Sequence, residues 1–233
     1  MLRPLFAHAA SLMPQAPLGQ LGWLRGAVGG AIGIGLAAVV TAMLLGPYDP
    51  ALPMIVALMG ASAVLVFAVP ASPLAQPWPV IGGNLVAAMV GIGTGLAIGS
   101  PAVAAALAVG LAIAAMSVAR CLHPPGGASA LLCALGASGP EQWDWFYLLP
   151  FAANVLLLAV AAWLYNNLTG HSWPHQLVVP PPPVTDSIGD TVTHADVEAV
   201  MEDWDEVLDI DADDLLALIQ AAERHRKRSF PNS

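Results

Sequence analysis

Four apolar stretches dominate the sequence, and they exclude most water-soluble folds. A helix needs about 20 apolar residues to cross a hydrocarbon layer of about 30 Å, and none of the four contains an acidic residue. Charged residues make up 10% of the chain, whereas a soluble domain carries about 25%. The sequence therefore predicts an all-α, polytopic membrane helix bundle. The four stretches cover about residues 25–45, 80–98, 101–119 and 145–168.

Two further apolar stretches, at about 52–69 and 126–137, are shorter or flanked by proline. They are compatible with short crossings, with re-entrant half-helices, or with helices buried inside the bundle. The sequence leaves these three alternatives open. It predicts six apolar segments in all, four of full length and two short or re-entrant.

Charge is distributed unevenly along the chain. The first 183 residues balance three acidic against three basic residues, so the tail carries the whole formal net charge of −9. An acidic tail on a neutral body argues against a nucleic-acid partner, because phosphate binding requires a basic patch. Cytoplasmic loops collect Lys and Arg, and six crossings place all three basic residues of the body on the cytoplasmic side. We therefore expect an integral protein of the bacterial inner (plasma) membrane with a cytoplasmic C-terminal tail. The basic residues of the body are Arg3, Arg25 and Arg120, and its acidic residues are Asp49, Glu141 and Asp144.

Changes in composition divide the chain into four parts. Residues 1–20 contain three prolines and one arginine, unlike a cleavable signal peptide, so we expect an interfacial N-terminus. Residues 21–176 form the predicted transmembrane domain. Residues 177–192 include four consecutive prolines, which favour an extended linker, and residues 193–233 form an acidic helical tail.

An internal repeat links the two halves of the transmembrane region. Residues 60–65 read GASAVL and residues 127–132 read GASALL, and each copy later places an asparagine, Asn84 or Asn154, after two small residues. Three segments per copy require the second copy to lie upside down relative to the first. The sequence thus predicts a 3+3 inverted repeat, the plan of many transporters, with a substrate site near mid-depth where the two GAS segments meet.

The stretch Arg120–Ser129 (RCLHPPGGAS) is the most unusual local sequence. Proline ends one helix and is favoured in the first turn of the next, so we expect a helix to begin at Pro124 or Pro125. Unpaired N–H groups and the helix dipole at such an end suit a small anion. We expect the N–H groups of Gly126, Gly127 and Ala128 to bind it, with Arg120 raising the local anion concentration and His123 exchanging a proton.

Four polar residues inside apolar segments complete the candidate substrate-binding set: Ser62, Ser129, Asn84 and Asn154. Each also has a purely structural alternative, which for the asparagines is a hydrogen bond between helices. Arg120 at a helix end can instead extend to the membrane interface, and His123 can cap a neighbouring helix. These alternatives remain open at the sequence level.

The HPPGGASALL stretch, together with the GASAVLVFA, SPLAQPW and YNNLTGHSWP runs, closely resembles the HPP family of integral membrane proteins over residues 20–176. The family is usually described with four membrane-spanning helices. The resemblance implies transport, because plastid and cyanobacterial members are associated with nitrite transport, and hence a small monovalent anion as substrate. Asn84 stands where a histidine is common in the family.

Other functional classes have less support in the sequence. His171 and His175 have the spacing of a helical metal pair, but Pro174 interrupts that helix, so we expect no metal and no cofactor. We also expect no enzyme, because no nucleophile, base and orienting group occur together at suitable spacing. The alternative function is a non-transporting scaffold or sensor whose acidic tail binds a cytoplasmic partner.

The tail is predicted to contain two amphipathic helices. The first begins at Thr193 with Asp196 in a capping-box position, and the second begins near Asp211. Their apolar faces need a partner surface: each other, a second copy of the chain in a homo-oligomer, or the cytoplasmic face of the body. The tail resembles the connector to CBS domains in longer HPP proteins, and no CBS domain follows here.

Overall fold

The computed structural model describes residues 22–175, 192–202 and 215–220. Over these ranges the regular structure is entirely helical, which confirms the all-α prediction. Residues 21–176 form one compact unit, and the described segments after residue 191 belong to another. The predicted interfacial N-terminus (1–20), most of the linker and most of the tail lie outside the described residues.

Among the described residues, six helices build the compact unit, and the tail contains a seventh helix and a helical segment at 215–220. A π-helical turn, Pro79–Gly83, leads directly into the third helix, and short 3-10 turns cover Pro73–Ala75 and Trp145–Tyr147. The helices are α1 (Gly22–Leu45), α2 (Ala51–Ala68), α3 (Asn84–Ala97), α4 (Pro101–Val118), α5 (Pro124–Ser138), α6 (Leu148–Leu168) and α7 (His194–Glu202).

Five helical segments are long and apolar enough to cross a membrane, where the sequence predicted four. The difference is α2, which was expected to be short because prolines flank it. Pro53 lies in the first turn of α2, where a missing N–H removes no helical hydrogen bond, and Asp49 Oδ1 accepts the N–H of Ala51 at 2.8 Å. Of the two segments expected to be short, only α5 remains so, with 15 residues.

The packing of the six helices has the two-fold pattern expected of the repeat. One bundle consists of α1, α2 and α6, which pack on one another, and a second bundle consists of α3, α4 and α5. Each bundle takes two helices from one copy and the third from the other copy. The repeat makes α1 equivalent to α4, α2 to α5 and α3 to α6. If each helix is replaced by its equivalent, every packed pair becomes another packed pair. The bundles meet where α2 packs on α5 and α3 packs on α6.

The π-helical turn compensates for a difference between the two copies. Four residues separate Pro79 from Asn84, but only three separate Pro150 from Asn154. A π turn absorbs one extra residue within a helix, and such turns are frequent at functional sites. The insertion rotates Asn84 relative to the position that an uninterrupted helix would give it.

Close approach of α3 and α5 depends on glycines with no room for a side chain. A Cβ at Gly95 would lie 2.6 Å from the carbonyl oxygen of Ala134, and a Cβ at Gly91 would collide with the carbonyl oxygen of Ala130. Membrane helices associate through such small residues because lipid provides no hydrophobic driving force between them.

The described part of the tail confirms the predicted helix cap. Asp196 N–H donates to Thr193 Oγ1 at 3.3 Å, and Asp196 Oδ2 accepts the Thr193 N–H at 2.8 Å. This reciprocal pair is a capping box with Asp in the third position. Residues 215–220 are also helical.

We predict that Gly91→Ala lowers the free energy of unfolding by about 1–3 kcal/mol, because overpacking forces α3 away from α5. Gly93→Ala is the matched control. A Cβ there meets only the Trp145 side chain at an ordinary 3.4 Å, and alanine favours the helix. Chemical unfolding in detergent micelles measures both changes. Equal destabilisation by the two substitutions would contradict this account of the contact.

Candidate functional site

Four polar side chains are completely buried where the two bundles meet. Ser62, Asn84, His123 and Ser129 each have 0% exposure, and continuous hydrogen bonds connect them. We call these four residues the polar chain. All four were candidate site residues from the sequence, and the structure brings them together.

The hydrogen bonds of His123 identify the tautomer of its neutral ring and the direction of its bond to Ser62. Its Nδ1 lies 2.8 Å from the carbonyl oxygen of Leu74, and its Nε2 lies 2.9 Å from Ser62 Oγ. A carbonyl can only accept, so Nδ1 carries the hydrogen. In the neutral ring Nε2 is then the acceptor for the Ser62 hydroxyl.

Asn84 connects the serines of the two GAS segments. Its amide nitrogen donates to Ser62 Oγ at 3.0 Å and to the Val80 carbonyl at 2.9 Å. Its Oδ1 accepts the Ser129 hydroxyl at 2.8 Å. Every donor in the polar chain therefore has an acceptor within the protein.

The polar chain joins the two bundles where the two GAS segments meet. Ser62 lies on α2 in the first bundle, whereas Asn84, His123 and Ser129 belong to the second. Ser62 is six residues from the end of α2 and Ser129 five residues from the start of α5. At 1.5 Å per residue these distances are about 8–9 Å, measured from the ends of α2 and α5 near which Arg120 also lies. We call this side the Arg120 face.

The structure removes Gly126 from the predicted cradle of free amide groups at the start of α5. Pro124 and Pro125 have no N–H, and the Gly126 N–H donates to the His123 carbonyl at 2.8 Å. The prolines thus remove the donors that a helix start usually exposes.

Gly126 and Gly127 have different environments despite being adjacent. A Cβ at Gly126 would lie 2.7 Å from the sulfur of Met116 and 3.2 Å from the Gly83 carbonyl, whereas one at Gly127 would meet nothing within 4 Å. Ala128 is exposed. Of the two glycines, only Gly126 packs too closely against neighbouring residues to accept a side chain.

Arg120 is exposed at its face and lies in an unusual backbone conformation. Its φ angle is +53°, in the left-handed region that glycine normally occupies after a helix. The N–H of Cys121 donates to the Met116 carbonyl at 2.9 Å and that of Arg120 to the Ser117 carbonyl at 3.2 Å, which is the Schellman ending of α4. An arginine here carries backbone strain of about 1–2 kcal/mol.

Asn154 does not join the polar chain. Its amide nitrogen donates to Thr41 Oγ1 in α1, and its Oδ1 is buried without a hydrogen-bond partner. Asn84 and Asn154 therefore occupy equivalent positions in the two copies of the repeat but have different hydrogen-bond partners.

Arg25 is a structural residue whose contacts the sequence did not reveal. Its Nη1 donates to Asn166 Oδ1 at 2.7 Å and its Nη2 to the Phe67 carbonyl at 2.9 Å. These bonds tie the start of α1 to the ends of α2 and α6. Two features could have indicated these contacts. Asn166 is a polar residue within an apolar helix, and cations favour helix C-termini.

Two grooves on the compact unit are lined by residues outside the polar chain. One groove of about 320 Å³ runs between α1 and α2, past Gly30 and Gly60, and another of about 260 Å³ lies beside Trp163 and Trp173. Within residues 22–175, 192–202 and 215–220, no three His, Cys, Asp or Glu side chains lie close enough to hold a metal ion. Because all four of its side chains have 0% exposure, the polar chain is closed to solvent in this structure.

The transmembrane region that defines the HPP family matches residues 15–174 of this sequence. The chain belongs to the HPP family. It is 38% identical over 125 residues to one transmembrane protein of Dictyostelium discoideum and 42% identical over 113 residues to another, covering 51% and 46% of this chain. The chain spans 43% and 36% of the lengths of these two relatives. No solved structure matches it.

Membership of the HPP family and the apolar helices establish an integral membrane protein. The polar chain includes the histidine of the HPP triplet, and the prolines that follow orient the backbone around it. The family's name-giving residues thus lie at the junction of the two bundles.

We predict that Ser62→Ala lowers the free energy of unfolding by about 1–3 kcal/mol, because it leaves buried groups of Asn84 and His123 without a partner. Ser117→Ala is the matched control, since Ser117 is exposed and its hydroxyl donates to Ile113 of its own helix at 2.7 Å. We expect that control to change stability by less than about 0.5 kcal/mol. Chemical unfolding in micelles compares the two, and similar losses would contradict the assignment.

We predict that acid destabilises the fold through His123, which lies in the loop between α4 and α5. Burial lowers the pKa of His123, although its hydrogen bond to Leu74 opposes the shift. An unfolded histidine titrates near about 6.5, so below that pH the unfolded chain binds the proton more readily and stability falls. Unfolding midpoints at several pH values measure this loss. His123→Gln should flatten the dependence below about pH 6.5, and an unchanged slope in that variant would refute the role of His123.

Proposed function

We propose that this HPP protein is a transporter of a small monovalent anion, with nitrite as the leading candidate, and that it acts without enzymatic chemistry. The observation that carries the proposal is the polar chain at the junction of two bundles related by an inverted repeat. Hydrogen-bonding side chains inside membrane helices are costly unless paired, and they commonly mark pathways. Inverted-repeat transporters have their substrate sites at this junction.

If the two bundles move apart, side chains that are hydrogen-bonded to each other in this structure would become available to bind an anion. Ser62 is the member of the polar chain that belongs to the first bundle, so separating the bundles breaks its bonds to Asn84 and His123. The Ser62 hydroxyl and the Asn84 amide would then face the gap as neutral donors. Contacts of this strength hold an anion weakly enough for it to leave again.

Charge favours anions at the Arg120 face. Arg25 and Arg120 lie at this end of the helices, while Asp49, Glu141 and Asp144 lie in loops at the other end. An exposed cation raises the local concentration of anions, and Arg120 would act in this way rather than as a buried ligand. By the positive-inside rule this face is cytoplasmic, and with it the C-terminal tail, in a bacterial inner membrane.

We predict that liposomes containing the purified protein take up nitrite faster than empty liposomes when potassium and valinomycin clamp the membrane potential. Nitrite is measured colorimetrically after rapid filtration. Arg120→Gly should reduce the initial rate several-fold while stabilising the fold by about 1 kcal/mol, since glycine relieves the left-handed strain. A lower rate in a more stable protein separates function from misfolding.

Arg120→Lys is the matched control because it keeps the charge, and it should retain most of the rate. Nitrite uptake equal to that of empty liposomes would contradict nitrite as the substrate. An unchanged rate in Arg120→Gly would contradict the proposal that Arg120 raises the local concentration of anions. Chloride and nitrate supplied under the same clamp test whether another monovalent anion is carried.

A further inference from the structure

The hydrogen bonds of the polar chain favour the neutral form of His123. Its Nδ1 donates to the Leu74 carbonyl, so its Nε2 is the acceptor for the Ser62 hydroxyl at 2.9 Å. A proton on Nε2 would turn this acceptor into a donor. The Ser62 oxygen already accepts an N–H of Asn84 at 3.0 Å, and the Ser62 hydroxyl would lose its acceptor.

The elements that pack around His123 carry no charge. The helices α2, α3, α4 and α5 and residues 69–83 contain no Asp, Glu, Lys or Arg. The groups that contact the ring or its Cβ from other elements include the Ser62 hydroxyl, the Leu74 carbonyl and the backbone of Gly83. In its own loop, Cys121 is a buried thiol and Arg120 is exposed.

A protonated His123 would therefore be a buried cation without a counter-ion. The three carboxylates within residues 22–175 are Asp49, Glu141 and Asp144, which lie in loops at the other end of the helices. A buried charge is unfavourable unless it is paired. In accord with this geometry, burial lowers the pKa of His123. The closed junction thus lacks a partner for a proton, and a small anion is a group that could supply the missing negative charge.

Separation of the two bundles would change the environment of Nε2. Ser62 belongs to the first bundle and His123 to the second, so parting them leaves the Nε2 lone pair facing the gap. A lone pair repels an anion, whereas a protonated Nε2 donates a hydrogen bond to it and neutralises its charge. An anion and a proton would therefore stabilise each other in the open junction.

We propose that His123 binds one proton with each anion, so that the protein carries a monovalent anion and a proton together as an electrically neutral pair. The proton binds Nε2 when Ser62 moves away, and it leaves with the anion before Ser62 returns. This inference rests on the proposed transport function, because it names the second substrate of the same site.

The response of uptake to voltage and to pH tests the coupling. Initial rates of nitrite uptake are measured in liposomes containing the purified protein, and the rate of empty liposomes is subtracted because nitrous acid crosses lipid unaided. With the potential held at zero by valinomycin and equal potassium, an acidic exterior should raise the rate several-fold. With equal pH on both sides, a potential of either sign should leave the rate unchanged, whereas an inside-positive potential would accelerate an uncoupled anion.

Two histidine variants assign the proton to a residue. In His123→Gln, which cannot bind a proton, the remaining uptake should lose its response to the pH gradient and follow the membrane potential. His171→Gln is the matched control, because His171 lies outside the polar chain and its ring contacts the Thr169 carbonyl. This control should keep the pH response of the wild type.

Proton uptake on binding provides a second measurement that does not depend on flux. Nitrite is added to the protein in nanodiscs in weakly buffered solution, and a pH-sensitive dye reports the protons taken up. The wild type and His171→Gln should take up one proton for each nitrite bound. His123→Gln should take up none, and this holds even if that variant no longer transports.

The outcomes separate the coupling from the proposed function. Uptake that follows the potential and ignores the pH gradient would overturn the coupling and retain nitrite transport. A pH response or proton uptake that persists in His123→Gln would overturn His123 as the proton-binding residue. If nitrite uptake does not exceed that of empty liposomes, nitrate and chloride replace it in the same design, and absence of uptake for all three would overturn transport and coupling together.

Discussion

The bond between the Ser62 hydroxyl and His123 Nε2 is the interaction on which the rest of the junction depends. In hydrocarbon a buried polar group must find its partner within the protein. With Nδ1 committed to the Leu74 carbonyl, the ring offers one acceptor, and Ser62 supplies the hydrogen. The orientation of Ser62 then leaves its oxygen to Asn84, and Asn84 leaves its own oxygen to Ser129. One tautomer thus sets the direction of every bond within the polar chain.

Small residues make this arrangement sterically accessible. A Cβ at Gly83 would lie 2.5 Å from the Cys121 carbonyl and 2.6 Å from the Cβ of His123, so only glycine lets the HPP segment cross the start of α3 closely enough. Gly126 serves the same purpose against Met116 and the Gly83 carbonyl. The polar chain therefore depends on these glycine contacts, because the close approach of the backbones brings its side chains within hydrogen-bonding distance.

Much of the fold followed from the sequence because the bilayer imposes a length and a polarity on every crossing. The repeat located the two GAS segments and their serines, and the structure joins those serines through Asn84. The length of α2 was mispredicted because Pro53 is harmless in a first turn. Asn154 was misplaced because equivalent positions in a repeat need not share partners in one conformational state. The polarity of the bonds depends on which nitrogen of His123 carries hydrogen, and no sequence pattern encodes that.

The paired prolines at the start of α5 carry a consequence for selectivity. Pro124 and Pro125 present no N–H, and the Gly126 N–H is bonded to the His123 carbonyl, so these three residues offer no free main-chain N–H to a solute. If the protein transports an anion as proposed, discrimination among anions depends on hydroxyl, amide and guanidinium side chains, and a single substitution can replace each of them. Under that proposal, proteins with this scaffold can differ in the anion that they carry while their framework stays the same.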